Sequence, residues 1–165
     1  MLKSSRATTP THITEGSEIR FYRKVIKRRA SAATEFIDIT AEVKEFLEET
    51  GISEGSVLVF SRHTTAGIEI NEHEPLLLRD MAYFLDKQAP KSSDYKHNDF
   101  VVRTANMTAD ECPNGHAHCQ HLLLNSSETI PVAARQLMLG KWQRIFLIEL
   151  DRPRDREVVI QVQGW

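Results

Sequence analysis

"WQRIFLIELDRPRDREVVIQVQ", residues 142–163, places two β-rich runs, Trp142–Leu150 and Glu157–Gln163, on either side of the charged, proline-containing segment Asp151–Asp155. Runs of this composition around a short polar break read as two antiparallel strands joined in a hairpin. The rest of the chain then has to supply the neighbouring strands and the helices that cover them.

Upstream, "EIRFYRKVIKRR" (18–29) alternates Ile19, Phe21 and Val25 with charges, the period of a half-buried strand, and "FIDI" (36–39) continues as strand. In "TAEVKEFLEETG" (40–51), Val43, Phe46 and Leu47 recur at helical spacing, with Thr40 as the expected N-cap, Glu42 in the first turn and Gly51 ending the helix. "VLVFS" (57–61) and "AGIEIN" (66–71) are strands interrupted by "RHTT" (62–65). Pro75 opens a second helix that Pro90 closes, with Leu76, Leu77, Met81, Phe84 and Leu85 on one stripe. Lys91–Pro113 is a long, partly charged connection in which only "FVVR" (100–103) is strand-like, and connections of that length are often functional. "HAHCQHLLLN" (116–125) reads as a short third helix whose Leu122, Leu123 and Leu124 are expected in the core, and "TIPVA" (129–133) as a strand. The expectation is an α+β fold: a single compact domain over residues 17–165, antiparallel sheets carrying two to three helices, behind a mobile leader at residues 1–16.

The totals agree with one globular domain. With 165 residues, 41% hydrophobic and 27% charged, the chain can bury roughly 70% of the surface its unfolded form exposes. Twenty-one basic and 23 acidic residues leave a formal charge of only −2, so any anion site has to be local. No apolar run resembles a signal-peptide core or approaches the ~20 residues of a membrane span, which points to a soluble cytoplasmic chain with no membrane partner. Cys112 and Cys119 match no common zinc-ribbon spacing and read as reduced thiols. No nucleic acid partner is expected either, because "RKVIKRR" is striped through a strand among apolar residues rather than gathered beside stacking aromatics.

Histidine is where chemistry concentrates. "NGHAHCQH" (114–121) carries three imidazoles in six positions. At about 100° per residue, His118 and His121 share a helix face while His116 points to the other side, so the three cannot all serve one site if the segment is helical throughout; a helix that begins only near His116 still lets that residue bend toward the site. His63 stands where the polar triplet "HTT" interrupts a strand, and His97 lies in the long connection beside Tyr95 and Asp99. Imidazoles from separate segments commonly hold a first-row divalent metal while leaving a position open. His63, His97 and His118 are therefore the candidate metal set, with zinc or another transition metal favoured over oxygen-seeking magnesium. Two of them with a carboxylate is the alternative.

"HTTAGIEINEHEP", "YKHND", "NGHAHCQHLLLNSSETIPV" and "LGKWQRIFLIELDRPRDREVVIQVQG" occur in the order and spacing of the YjbQ-like family, whose members are described as secondary thiamine-phosphate synthase enzymes, and the chain resembles them from about Ile19 to Gly164. The resemblance implies a compact α+β fold, a homotrimer, and a pocket at the subunit boundary. It carries the family's histidines onto His63, His97 and His118, its Asn-Glu pair onto Asn71 and Glu72, and its Gly-Ser turn onto Ser126 and Ser127, although Asn125 or Ser126 stands where glycine is usual. Gly140, Trp142 and Gln143 match "LGKWQ", and the closing arginines are Arg154 and Arg156. The implied reaction joins a pyrimidine-methyl diphosphate to a thiazole phosphate and releases diphosphate, which needs leaving-group charge neutralised by arginines and a cation.

The expected catalytic residues are thus His118, His63 and Glu72, with Glu72 as general base, and the expected groups for a small phosphorylated molecule are Ser127, Arg154 and Arg156. Two rival readings stand beside the transferase. One is a metal-dependent hydrolase of a small phosphate or ester, and the other a non-catalytic, metal-stabilised trimeric binding module. Arginines beside a turn and serine within one can also be plainly solvated.

Overall fold

A computed structural model describes residues 18–165; the expected leader at residues 1–16 lies outside the described residues. Eight strands and three helices follow in the order β1 (Arg20–Arg29), β2 (Glu35–Asp38), α1 (Thr40–Thr50), β3 (Gly55–Ser61), β4 (Ala66–Glu72), α2 (Pro75–Gln88), α3 (Gly115–His121), β5 (Ser127–Ala133), β6 (Gln136–Leu137), β7 (Gln143–Glu149) and β8 (Asp155–Gly164). A single 3₁₀ turn, Lys96–Asn98, interrupts the α2–α3 connection. The fold is α+β, and every strand pairing is antiparallel.

The strands form two sheets, one ordered β1-β8-β3-β5-β6 and the other β2-β7-β4. The expected hairpin of residues 142–163 is therefore not formed: β7 and β8 are consecutive in the chain but belong to different sheets. Their sequences explain the separation. Ile145–Glu149 are buried without a break, as in a strand covered on both faces, whereas β8 alternates buried with half-buried positions and needs one covered face.

Odd and even positions of β7 serve different cores. Ile145 and Leu147 meet the inward residues of the five-stranded sheet, Val57, Val59, Val158, Ile160 and Val162, together with Val43 and Leu47 of α1. Phe146 and Ile148 face the opposite way, toward Leu85 of α2 and Ala117 of α3, with Phe36 and Leu124 packed alongside. The layers are thus sheet, sheet, helices, with β7 in the middle.

Local chemistry sets the helix ends. Gly51 ends α1 at φ 67°, a conformation that favours glycine. Thr40 is the first residue of α1 rather than its cap; its Oγ1 accepts the Ile145 N–H at 2.8 Å, so it ties the helix to β7 instead. Pro75 sits in the first turn of α2, where the Glu74 carboxylate accepts the N–H groups of Leu76 and Leu77 at 2.9 and 2.7 Å. Of the α2 stripe, Leu85 is buried while Leu76 and Phe84 are exposed. "FVVR" forms turns because the Asp99 carboxylate accepts the N–H of Val101 and Val102. Of the three leucines after α3, only Leu124 packs into the core; Leu122 and Leu123 are exposed, since α3 stops at His121 and the helical periodicity stops with it.

Candidate functional site

The β3–β4 loop, the 3₁₀ turn, α3 and the β7–β8 link converge at one end of the sandwich. They enclose a cavity of about 850 Å³, and His63, His97, His118, Arg154 and Arg156 all line it. Each arrives from a different segment. Gly115, which opens α3, lies so close to the 3₁₀ turn that a Cβ there would sit 2.5 Å from Cβ of Tyr95, and its N–H donates to Oδ1 of Asn98 at 2.9 Å. That contact holds His118 beside His97, edge to face, with ring centroids 4.6 Å apart.

Beneath the cavity, Glu149 and Arg156 form an ion pair with both partners buried, where the two sheets meet. Arg156 Nε and Nη2 donate to the Glu149 carboxylate, and Nη2 donates also to Oγ1 of Thr65 at 2.9 Å. Among the described residues Nη1 has no partner, so this guanidinium is locked on one side and offers its remaining donors on the other. Above it, Nε2 of His63 accepts the Glu157 N–H at 2.8 Å. A neutral ring in that state carries its proton on Nδ1 and is a donor there.

The other lining groups continue the pattern. Arg62, Lys96, Arg103, Arg154 and Arg156 contribute five cations against one carboxylate, Glu111. The acids that balance them stand outside the lining: Glu157 pairs with Arg62 at 3.1 Å and buried Asp151 with Arg154 at 3.1 Å. Arg103 pairs with Glu111 at 2.5 Å and donates to the carbonyls of Ala105 and Asn106, so it braces the loop around His97. Burial pushes the His63 and His118 pKa values down, helped by Arg156 at His63 and by His97 at His118. Both rings are held toward the neutral form, in which a nitrogen can accept a proton.

The remaining expected residues lie elsewhere. β4 runs away from the cavity, and seven residues at about 3.3 Å each carry Glu72 roughly 20 Å along the sheet, into a separate groove with His73 and Trp142. Ser127 opens β5 opposite Phe60 and is outside the cavity lining. His116 is buried, 3% exposed with Nδ1 unpartnered among the described residues, and both it and His121 lie outside the lining. Arg62, Lys96, Arg103 and Glu111 were not among the expected residues. Arg62 adjoins His63, a signal the sequence did carry, whereas Arg103 was hidden inside the strand-like "FVVR".

For a divalent ion the donors fit only in part. His97 and His118 stand together, but the Nε2 lone pair of His63 is committed to Glu157, and its Nδ1 then carries the proton. Among the described residues no three His, Cys, Asp or Glu side chains form a ligand group. Fixed N–H donors and guanidinium groups predominate, and such donors match an oxyanion.

The comparisons with known proteins agree with one another. The family model described as UPF0047 protein YjbQ-like matches residues 24–165. A UPF0047 protein of Methanothermobacter thermautotrophicus is 38% identical over 149 residues, covering 90% of this chain and 96% of its own length. YugU of Bacillus subtilis, also a UPF0047 protein, is 34% identical over 142 residues, or 86% of this chain and 98% of its own. Among solved structures, a YbjQ-like protein of unknown function from Sulfolobus solfataricus superposes with a TM-score of 0.80 at 32% identity, covering 90% of this chain and all of its own. A YjbQ/UPF0047 protein from Clostridium acetobutylicum gives 0.70 at 39% identity, covering 86% and 98%. With the family model spanning nearly the whole described chain, the protein belongs to the UPF0047 family of YjbQ-like proteins.

Proposed function

We propose that the histidine-lined cavity binds a small phosphorylated molecule and that His118, with His97 against it, moves a proton at the bound phosphate. The observation that carries this reading is the convergence of His63, His97, His118, Arg154 and Arg156 on one cavity whose lining holds a single carboxylate. Nη1 of Arg156 and Nδ1–H of His63 are fixed donors that need no rearrangement when negative charge grows on an oxygen, the condition under which such groups stabilise a transition state. Arg154 adds a charge from the cavity wall. His118, held toward its neutral form, is the group able to take or return a proton.

The reaction we assign is the one the family resemblance implies, transfer of a pyrimidine-methyl group from diphosphate to a thiazole phosphate, giving thiamine phosphate and free diphosphate. Releasing diphosphate demands donors for its developing charge, which the cavity supplies. The same reading carries a homotrimer in the cytoplasm. Purified protein supplied with both precursors is expected to release diphosphate, and His118→Ala to lower the rate about 10²-fold or more. Absence of both turnover and diphosphate binding in the wild-type protein overturns the proposal.

A second reading, metal-dependent hydrolysis of a phosphate or ester, is favoured by one observation, the 4.6 Å pairing of His97 with His118. Those two residues would hold a zinc-like ion, which supplies an activated water when bound. Stoichiometric cobalt(II) uptake with a ligand-field spectrum that His97→Ala abolishes would select this reading over the first.

A further inference from the structure

His73 stands outside this cavity in a setting of its own. At the far end of the three-stranded sheet, Glu72, His73, Lys141, Trp142 and Arg144 line a groove of about 400 Å³. Asp38, at the end of β2, backs it. Asp38 Oδ1 accepts the Thr40 N–H at 2.9 Å, while Oδ2 accepts Nε of Arg144 at 2.8 Å and Nδ1 of His73 at 3.0 Å. A carboxylate with these partners is ionised and can only accept, so Nδ1 of His73 carries a proton, and in the neutral ring Nε2 is the free acceptor. Phe146 fixes the ring plane further, edge to face at 5.4 Å.

The walls of the groove offer complementary chemistry. Trp142 is 61% exposed, an uncommon state for so large an apolar ring. Nζ of Lys141 lies 4.5 Å from its centroid over one face. Arg144 is held at Nε by Asp38, and among the described residues its two terminal nitrogens have no partner. An aromatic face, two cations, the Glu72 carboxylate and the Nε2 edge of an imidazole therefore meet in one recess that the histidine-lined cavity does not share.

We propose that this groove is a second ligand site, for a planar aromatic anion. The ring lies on Trp142, its carboxylate or phosphate takes the terminal nitrogens of Arg144 beside Lys141, and a ring hydroxyl or amine donates to Nε2 of His73. The proposal does not rest on the function assigned to the other cavity.

The test titrates the full chain with 4-hydroxybenzoate, benzoate and cyclohexanecarboxylate, followed by ligand-observed NMR and by tryptophan fluorescence in a Trp165→Phe background that leaves Trp142 as the only indole. Binding of 4-hydroxybenzoate with a change in Trp142 emission is expected, with benzoate weaker and cyclohexanecarboxylate at least tenfold weaker for lack of stacking. Trp142→Leu and Arg144→Gln are each expected to lower affinity about tenfold by NMR, His73→Gln to erase the preference for the hydroxylated ring, and His118→Ala to change nothing. Equal binding of the planar and non-planar acids overturns the proposal, as does an effect of His118→Ala matching that of Trp142→Leu, or no binding of 4-hydroxybenzoate at all.

Discussion

The backbone N–H of Glu157 donates to Nε2 of His63 at 2.8 Å, so the third residue of β8 decides which way an imidazole on the β3–β4 loop faces the cavity. The proton of the neutral ring then belongs on Nδ1. In ¹⁵N-labelled protein at pH 7.5, the His63 ring is expected to show a protonated Nδ1 and an unprotonated Nε2. The reverse tautomer would remove His63 from the oxyanion donors and return it to the candidate metal ligands.

His116 and His118 are two residues apart and are expected to behave oppositely. His118 lines the cavity, whereas His116 is buried, 3% exposed. His118→Ala should slow diphosphate release about 10²-fold or more while moving the urea midpoint little. His116→Ala should leave a large void and cost about 2–4 kcal/mol of stability, with activity per folded molecule retained. Denaturation curves and rates on the same preparations separate the two.

The ion pair of Glu149 and Arg156 joins the sheets beneath the cavity, with both side chains almost wholly buried. Glu149→Gln leaves the guanidinium without its counter-charge, and about 3–5 kcal/mol of stability should be lost, measured by chemical unfolding. Replacing both residues with leucine should recover much of that stability yet leave diphosphate binding impaired, because Arg156 Nη1 is gone.

Asp38 makes stability sensitive to acid. Burial alone would raise its pKa, but hydrogen bonds from Thr40, His73 and Arg144 outweigh burial and hold the carboxyl far below its ordinary 3.8. A folded-state value below the unfolded one means the unfolded chain binds the proton first. The contribution, about 1.5–3 kcal/mol, is therefore complete above the ordinary value and lost as pH falls through and below it. Between pH 7 and pH 3, the urea midpoint of the wild-type protein should drop further than that of Asp38→Asn.

The sequence made the elements readable but not their assembly. Hydrophobic period located β1, β3, β4, α1 and α2, since each depends on residues near in the chain. The partition of β7 and β8 between two sheets depends on which faces are covered, and only the unbroken apolar run Ile145–Ile148 hinted at it. In the same way, His63, His97 and His118 could be chosen by residue type and family resemblance, and the fold brings them to one cavity. Glu72 belongs to the same conspicuous stretch as His63, yet an extended strand separates neighbours in sequence by nearly the length of the sheet. Arg103 was masked by its apolar neighbours Val101 and Val102, which lie exposed on a loop. His73 carries no signal of its own in the sequence, because the carboxylate it meets, Asp38, lies 35 positions away.

That the cavity at residues 63, 97 and 118 is an oxyanion seat is tested most directly by calorimetric titration with inorganic diphosphate. Saturable binding at one site per chain is predicted, weakened at least tenfold by His118→Gln and by Arg154→Gln and unchanged by Trp142→Leu. Wild-type protein that takes up no diphosphate, or binding that all three variants retain in full, would contradict it.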